Sequence, residues 1–191
     1  TDRLVETIKG LDFSISLHTF LQVNHAQTEL LYTQVLKFAK IFPDEVVADL
    51  YCGAGTISLL AAQLAKKVVG IEIVPEAVED ARANAQANNI ENAEFLLGDC
   101  AEIFPQILEK EGRLDVIIAD PPRKGMDARV IRAISDSAAK RLVYVSCDPA
   151  TLARDTALLM EQGWAAQVCQ PVDMFPQTTN IETVLLFSRE A

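Results

Sequence analysis

The chain has 191 residues, half of them apolar, and 17 Lys and Arg against 27 Asp and Glu, for a net charge of −10. That is enough apolar material for one domain with a sizeable core. The acid excess argues against an extended nucleic-acid-binding surface on this chain. No apolar run approaches a membrane-spanning length and the first residues lack a signal-peptide pattern, so a cytoplasmic, monomeric protein with no membrane partner is the expectation.

Cys52, Cys100, Cys147 and Cys169 are dispersed without a Cys-x-x-Cys pair. His18 and His25 are not spaced to join them as ligands, so no metal site is expected and the cysteines suit a reducing compartment. The chain opens on Thr1-Asp2-Arg3 rather than a methionine and is expected to be part of something longer.

In chain order, Phe13-Ser14-Ile15-Ser16-Leu17 alternates as a half-buried strand does. Asn24 is a helix cap for a segment whose apolar positions include Leu30, Leu31, Val35, Leu36 and Phe38, which leaves Gln22 in the connector just before that helix. From Val46 the pattern becomes strand, helix, strand, helix. Val46 to Leu50 reads as a strand, Thr56 to Ala65 as a helix, Lys67 to Ile73 as a strand and Pro75 to about Asn88 as an alanine-rich helix. Glu94 to Leu97, Leu114 to Ala119, Arg141 to Ser146, Ala165 to Val172 and Thr183 to Phe187 continue as strands, with helices between most of them. Such alternation predicts an α/β fold with a doubly wound, mostly parallel sheet of about seven strands, Rossmann-like, because parallel neighbours need crossover helices. Residues 1 to about 44 form an extension ahead of that sheet, and the whole is read as a single domain.

Asp49-Leu50-Tyr51-Cys52-Gly53-Ala54-Gly55-Thr56 joins the first core strand to its helix, and Gly53 and Gly55 let backbone approach a ligand. Glu72 ends the next strand, where a carboxylate can accept from two ribose hydroxyls. These features fit any adenosine-type cofactor. Ser58, however, stands where the dinucleotide fingerprint has its third glycine, and Asp49 supplies a carboxylate suited to a cationic group, which favours S-adenosylmethionine over a pyrophosphate. Asp99 either hydrogen-bonds an adenine amino group or simply caps a turn.

Asp120-Pro121-Pro122-Arg123-Lys124-Gly125 follows a buried strand as a rigid loop at the same sheet edge. Cys147 ends the next strand, either as a core thiol or as a reactive one favoured as thiolate by the helix that Asp148 and Pro149 open. Glu182, entering the last strand, is either solvated or desolvated with a raised pKa able to move protons. A methyl donor, a nucleophilic thiol and a base together suit methylation at carbon 5 of a pyrimidine, since that carbon reacts only after a thiolate adds at carbon 6. An amino-group methyltransferase, or a non-catalytic module binding cofactor or RNA, are the alternatives. The first leaves Cys147 and Glu182 without a task.

Five segments, Phe20 to Asn24, Asp49 to Gly55, Asp120 to Gly125, Val145 to Asp155 and Phe175 to Glu182, resemble in order the signature segments of the RNA uracil-5-methyltransferase family. The resemblance implies methyl transfer from S-adenosylmethionine to a uridine of rRNA or tRNA, with Cys147 as nucleophile and Glu182 as base. It assigns Gln22, Tyr51, Glu72 and Asp120 to the cofactor, with Gly53, Gly55, Thr56 and Asp99 beside them. Asp120 and Gln22 also stand near the target base, and Arg123, Lys124 and Arg154 are cationic candidates for phosphate contacts. Members of that family usually carry a small β-barrel RNA-binding domain and a central domain, some with an iron–sulfur cluster. Nothing in these 191 residues corresponds to those parts, so the resemblance is to the catalytic domain only. Leu17 and Leu21 depart from a proline and an aromatic residue common at those positions.

Overall fold

A computed structural model describes residues 3–17, 19–20 and 22–189. Leu21, one of the departures noted above, and His18 lie outside the described residues. Strands β1 (Arg3–Ile8) and β2 (Leu11–Ser16) form an antiparallel hairpin. Helix α1 (His25–Ala39) follows. The core then runs β3 (Val46–Leu50), α2 (Thr56–Ala62), β4 (Lys67–Glu72), α3 (Pro75–Ala87), β5 (Ala93–Leu97), α4 (Cys100–Glu111) and β6 (Val116–Ala119). It ends with α5 (Ala128–Asp136), β7 (Arg141–Ser146), α6 (Pro149–Glu161), β8 (Ala165–Val172) and β9 (Glu182–Ser188). Among the described residues no helix is long and apolar enough to cross a membrane.

The main sheet has seven strands in the order β5-β4-β3-β6-β7-β9-β8. The first five in that order are parallel, and β9 pairs antiparallel with both β7 and β8. The predicted mostly parallel, doubly wound sheet is therefore the observed one. The strands Val46–Leu50 and Val116–Ala119 are buried almost throughout because helices cover both faces, giving one core cluster around Leu31, Val35 and Ile118 and another around Phe104, Ile117 and Tyr144. From β3 the chain steps to β4 and β5 on one side, then returns to β6 on the other. The crevice above the carboxyl ends of β3 and β6 lies at that reversal, where open α/β sheets take their ligands.

Residues before Val46 precede the sheet in sequence but pack onto it. Helix α1 lies against β6, β7, β8 and β9, burying Leu31, Tyr32, Val35 and Ala39. Leu30, expected on its apolar face, is 57% exposed because the buried stripe runs through 28, 31, 32, 35 and 39, one residue further round. The helix predicted to reach Ala65 stops at Ala62. Asn92 turns the chain there by donating its side-chain amide to the carbonyls of Ala62 and Ala65. The hairpin strand β1 has no counterpart in the predicted elements, because Leu4 and Val5 are both exposed and its residues show little alternation.

Gly70 on β4 sits opposite Asp49 of β3, and a β-carbon there would come within 2.8 Å of both Cys52 Sγ and the Phe95 ring. Gly70→Ala is expected to cost about 1–3 kcal/mol by overpacking. Urea denaturation of the two proteins measures it.

Candidate functional site

One crevice of about 630 Å³ opens at the carboxyl ends of β3, β4 and β6. It gathers most of the sequence-predicted site residues: Gln22, Asp49, Tyr51, Gly53, Thr56, Glu72, Asp99, Asp120, Arg123, Lys124, Cys147 and Glu182. Gly55 stands just behind it as the residue that opens α2, with φ of 80°. A β-carbon on Gly55 would lie 2.9 Å from the Phe95 ring and 3.1 Å from Ala81, so this glycine serves close packing behind the turn. At Gly53, with φ of 54°, nothing lies within 4 Å of such a β-carbon. Its backbone N–H instead donates to Glu72 at 3.0 Å.

Glu72 is held from three sides, since its other oxygen accepts from the N–H groups of Ile73 and Val74 at the entry to α3. Asp49 is almost wholly buried. Ser58, which stands where the third glycine of a dinucleotide fingerprint would be, donates to Asp49 Oδ2 at 2.5 Å, while Asp49 Oδ1 has no partner. Burial, with Glu72 nearby, pushes Asp49 up to about 7. Gln22 Oε1 is likewise buried and unpartnered. Asp99 caps α4 through a bond from Ala101 N–H at 2.7 Å and also lines the crevice.

Asp120, Cys147 and Glu182 come together at the β6–β7–β9 end, as their strand pairing requires. Glu182 is 5% exposed, the desolvated alternative, and its carboxyl is raised by burial against the opposing pull of Arg123. Asp120 is pushed up to about 8, first by burial and then by Glu182 and Asp49. The expectation that the α6 N-terminus favours Cys147 as thiolate is corrected here. Asp148 accepts the N–H groups of Ala150 and Thr151 on its own carboxylate, so the end of the helix is already neutralised. Burial and the two neighbouring acids raise the Cys147 thiol, while Arg123 and a backbone hydrogen bond draw it down.

The Asp120 loop is braced from α6. Asp155, fully buried, accepts from Met126 N–H at 2.8 Å and Tyr144 Oη at 2.7 Å, and pairs with Arg154. Arg154 also donates to Lys124 O, so its guanidinium braces the loop while half of the side chain stays exposed. Gly125 is required beneath it, as a β-carbon would lie 2.5 Å from Asp155. Tyr32 of α1, missed in the sequence, lines the crevice and accepts from Thr56 Oγ1 at 3.2 Å. Its place on the buried stripe of α1 made it look like ordinary core. Phe20 and Phe175 also line the crevice.

Six acidic side chains, Asp49, Glu72, Asp99, Asp120, Asp127 and Glu182, line the crevice, against two cationic ones, Arg123 and Lys124. Such a lining repels a pyrophosphate and suits a ligand with cationic groups and hydroxyls. The profile of the tRNA (uracil-5-)-methyltransferase family matches residues 4–190. The chain belongs to that family. It is 49% identical over 189 residues to an RNA methyltransferase of Enterococcus faecalis, covering 99% of this chain and 41% of that protein. The tRNA (uracil-54, C5)-methyltransferase of Pyrococcus abyssi, solved with S-adenosyl-L-homocysteine, superposes with a TM-score of 0.82 at 29% identity, over 98% of this chain and 44% of that one. A putative SAM-dependent methyltransferase of Streptococcus mutans shares the fold, with a TM-score of 0.76 at 12% identity, over 98% of this chain and 56% of that one. The chain thus spans about two fifths of the length of these family relatives.

The raised acids give the site a pH signature. Asp120 and Asp49 titrate near 8 and 7 in the folded chain and near 4 when unfolded, so between those values the folded state holds protons that the unfolded state has released. Stability is therefore expected to fall as pH rises from about 5 to about 8, and Asp120→Asn to flatten that fall; urea midpoints across the range measure both. Glu182→Gln removes a negative neighbour of Cys147 and is expected to speed alkylation of that residue by iodoacetamide at pH 7.5, followed by peptide mass against the exposed Cys169.

Proposed function

We propose that this protein transfers a methyl group from S-adenosylmethionine to carbon 5 of a uridine in rRNA or tRNA. The observation that carries the reading is the meeting of a thiol, Cys147, and a buried carboxyl, Glu182, at the end of a crevice whose other half is a glycine turn and a strand-end acid. An amino-group methyltransferase has no use for that thiol.

The cofactor half fits the donor. The unpartnered Asp49 Oδ1 and the open space over Gly53 suit an amino-acid end carrying positive charge, and Glu72 and Asp99 suit the ribose and adenine. Bound there, S-adenosylmethionine supplies an electrophilic methyl group on a cationic sulfur.

The protein's own residues do the rest. Cys147, once deprotonated, forms a bond from Sγ to C6 of the uracil, and the C5=C6 electron pair moves to make C5 nucleophilic. After C5 has gained its methyl, Glu182 takes the C5 proton, the C5=C6 bond re-forms and the C6–S bond breaks to expel the thiolate. A carboxyl raised by burial is a stronger base once ionised than a solvated one, which suits removal of a carbon-bound proton. Arg123 favours the anionic forms of both Cys147 and Glu182, and its charge suits the phosphate or the carbonyl oxygens of an incoming nucleotide. A uridine reaches this crevice only when flipped from its stack, at a cost of about a few kcal/mol that is least in a loop.

RNA carrying 5-fluorouridine tests the reading, because fluorine cannot leave as a proton and the thiol should stay bound. A covalent protein–RNA adduct through Cys147, dependent on the methyl donor, is expected. Glu182→Gln is expected to accumulate the adduct on ordinary RNA, with turnover reduced by about 10²-fold or more. Normal turnover by that variant contradicts the role given to Glu182.

A further inference from the structure

Three side chains one turn apart, Asp80 and Asn84 on α3 and Asn88 at its C-cap, face the open edge of the hairpin strand β2. Asn88 accepts from Asp12 N–H at 2.9 Å and donates to Asp12 O at 2.7 Å. Asn84 accepts from Ser14 N–H at 2.8 Å, and Asp80 from Ser16 N–H at 2.8 Å. A helix advances about 6 Å over four residues and a strand about 6.6–6.8 Å over two, so the helix can offer one polar side chain to every second backbone N–H. The row takes the place of a missing neighbouring strand and closes an edge that would otherwise stay unpaired.

Its middle member does more than close an edge. Asn84 is 1% exposed and spends its amide N–H on Ala54 O, the carbonyl between the two glycines of the turn, at 3.2 Å. Asp80, one turn away, also accepts from Ser16 Oγ and Thr19 Oγ1, both at 2.8 Å, at the start of the connector that leads to Gln22. One helix face therefore ties together the glycine turn, the hairpin and the segment carrying the unpartnered Gln22 Oε1.

We propose that Asn84 is a positioning residue for the methyl donor: through its bonds to Ala54 O and Ser14 N–H it holds the glycine turn in the conformation that binds the cofactor and fixes that turn relative to the connector bearing Gln22. This rests on the cofactor reading above. Asn88 makes two bonds to the same strand, against one from Asn84, and none to the crevice, so it serves as the internal control.

Calorimetric titration of the protein with S-adenosylhomocysteine is the test. Asn84→Ala is expected to weaken binding about tenfold, the effect of losing a buried hydrogen bond and loosening its acceptor, while Asn88→Ala lowers the melting temperature but leaves affinity within about twofold of the parent. In turnover KM for the methyl donor rises with Asn84→Ala, and kcat stays within about threefold. Should Asn84→Ala fail to fold, Asn84→Asp keeps an acceptor for Ser14 N–H, loses the donor to Ala54 O and is expected to show the same weakening. Equal affinities for the parent and a folded Asn84 variant, or equal losses from the Asn84 and Asn88 changes, overturn the positioning role while leaving the cofactor reading intact. A parent protein that does not bind S-adenosylhomocysteine contradicts the cofactor reading itself, and this proposal with it.

Discussion

The structure depends on one constraint, the reversal of strand order between β3 and β6. Crossovers leave these two neighbours in opposite directions, so no helix can cover their carboxyl ends, and the loops that follow them must line a crevice. Asp49 approaches that opening on β3 and Asp120 follows β6 into it. Because β7 lies beside β6 and β9 beside β7, Cys147 and Glu182 are brought to the same end by pairing of Val145 with Val184 and Ser146 with Thr183. Residues 133 positions apart at the extremes of the set, Asp49 and Glu182, thus meet through sheet register alone.

Having concentrated acids at one desolvated place, the fold must then hold them there. The solutions are local and differ from acid to acid. Ser58 supplies one bond to Asp49, three backbone N–H groups hold Glu72, and Pro121, Pro122 and the buried Asp155 fix the loop that carries Asp120. Asp155 is the costliest of these to lose, since its removal strands the Met126 N–H and the Tyr144 hydroxyl in the interior together. The raised carboxyls of Asp49, Asp120 and Glu182 are the price of this arrangement, and a cationic ligand would relieve it.

Much of this was legible in the sequence because the signals were periodic or carried by backbone-demanding residues. Apolar runs of four to six residues separated by helical segments admit little besides a parallel sheet, and the Gly53-Ala54-Gly55 turn and the Asp-Pro-Pro loop mark the ends of their strands. Other parts were hidden for physical reasons. Strand β1 pairs only with β2 and buries little besides Ile8, so no alternation announces it. Tyr32 and Asn84 act at the crevice or its support while sitting on helix faces, where an apolar stripe and an alanine-rich stretch conceal them. The surroundings of Cys147 are likewise not visible in the sequence, because only the structure shows Asp148 taking up the first N–H donors of the helix that the sulfur would otherwise face.

The central claim is that the sulfur of Cys147 bonds to the pyrimidine ring before C5 can be methylated and deprotonated. Release of tritium from RNA labelled at C5 of uridine, measured together with methyl incorporation, reports both events at once. The account predicts one tritium released for each methyl gained by the parent protein and neither event with Cys147→Ala. Continued methylation with tritium release by Cys147→Ala would contradict it.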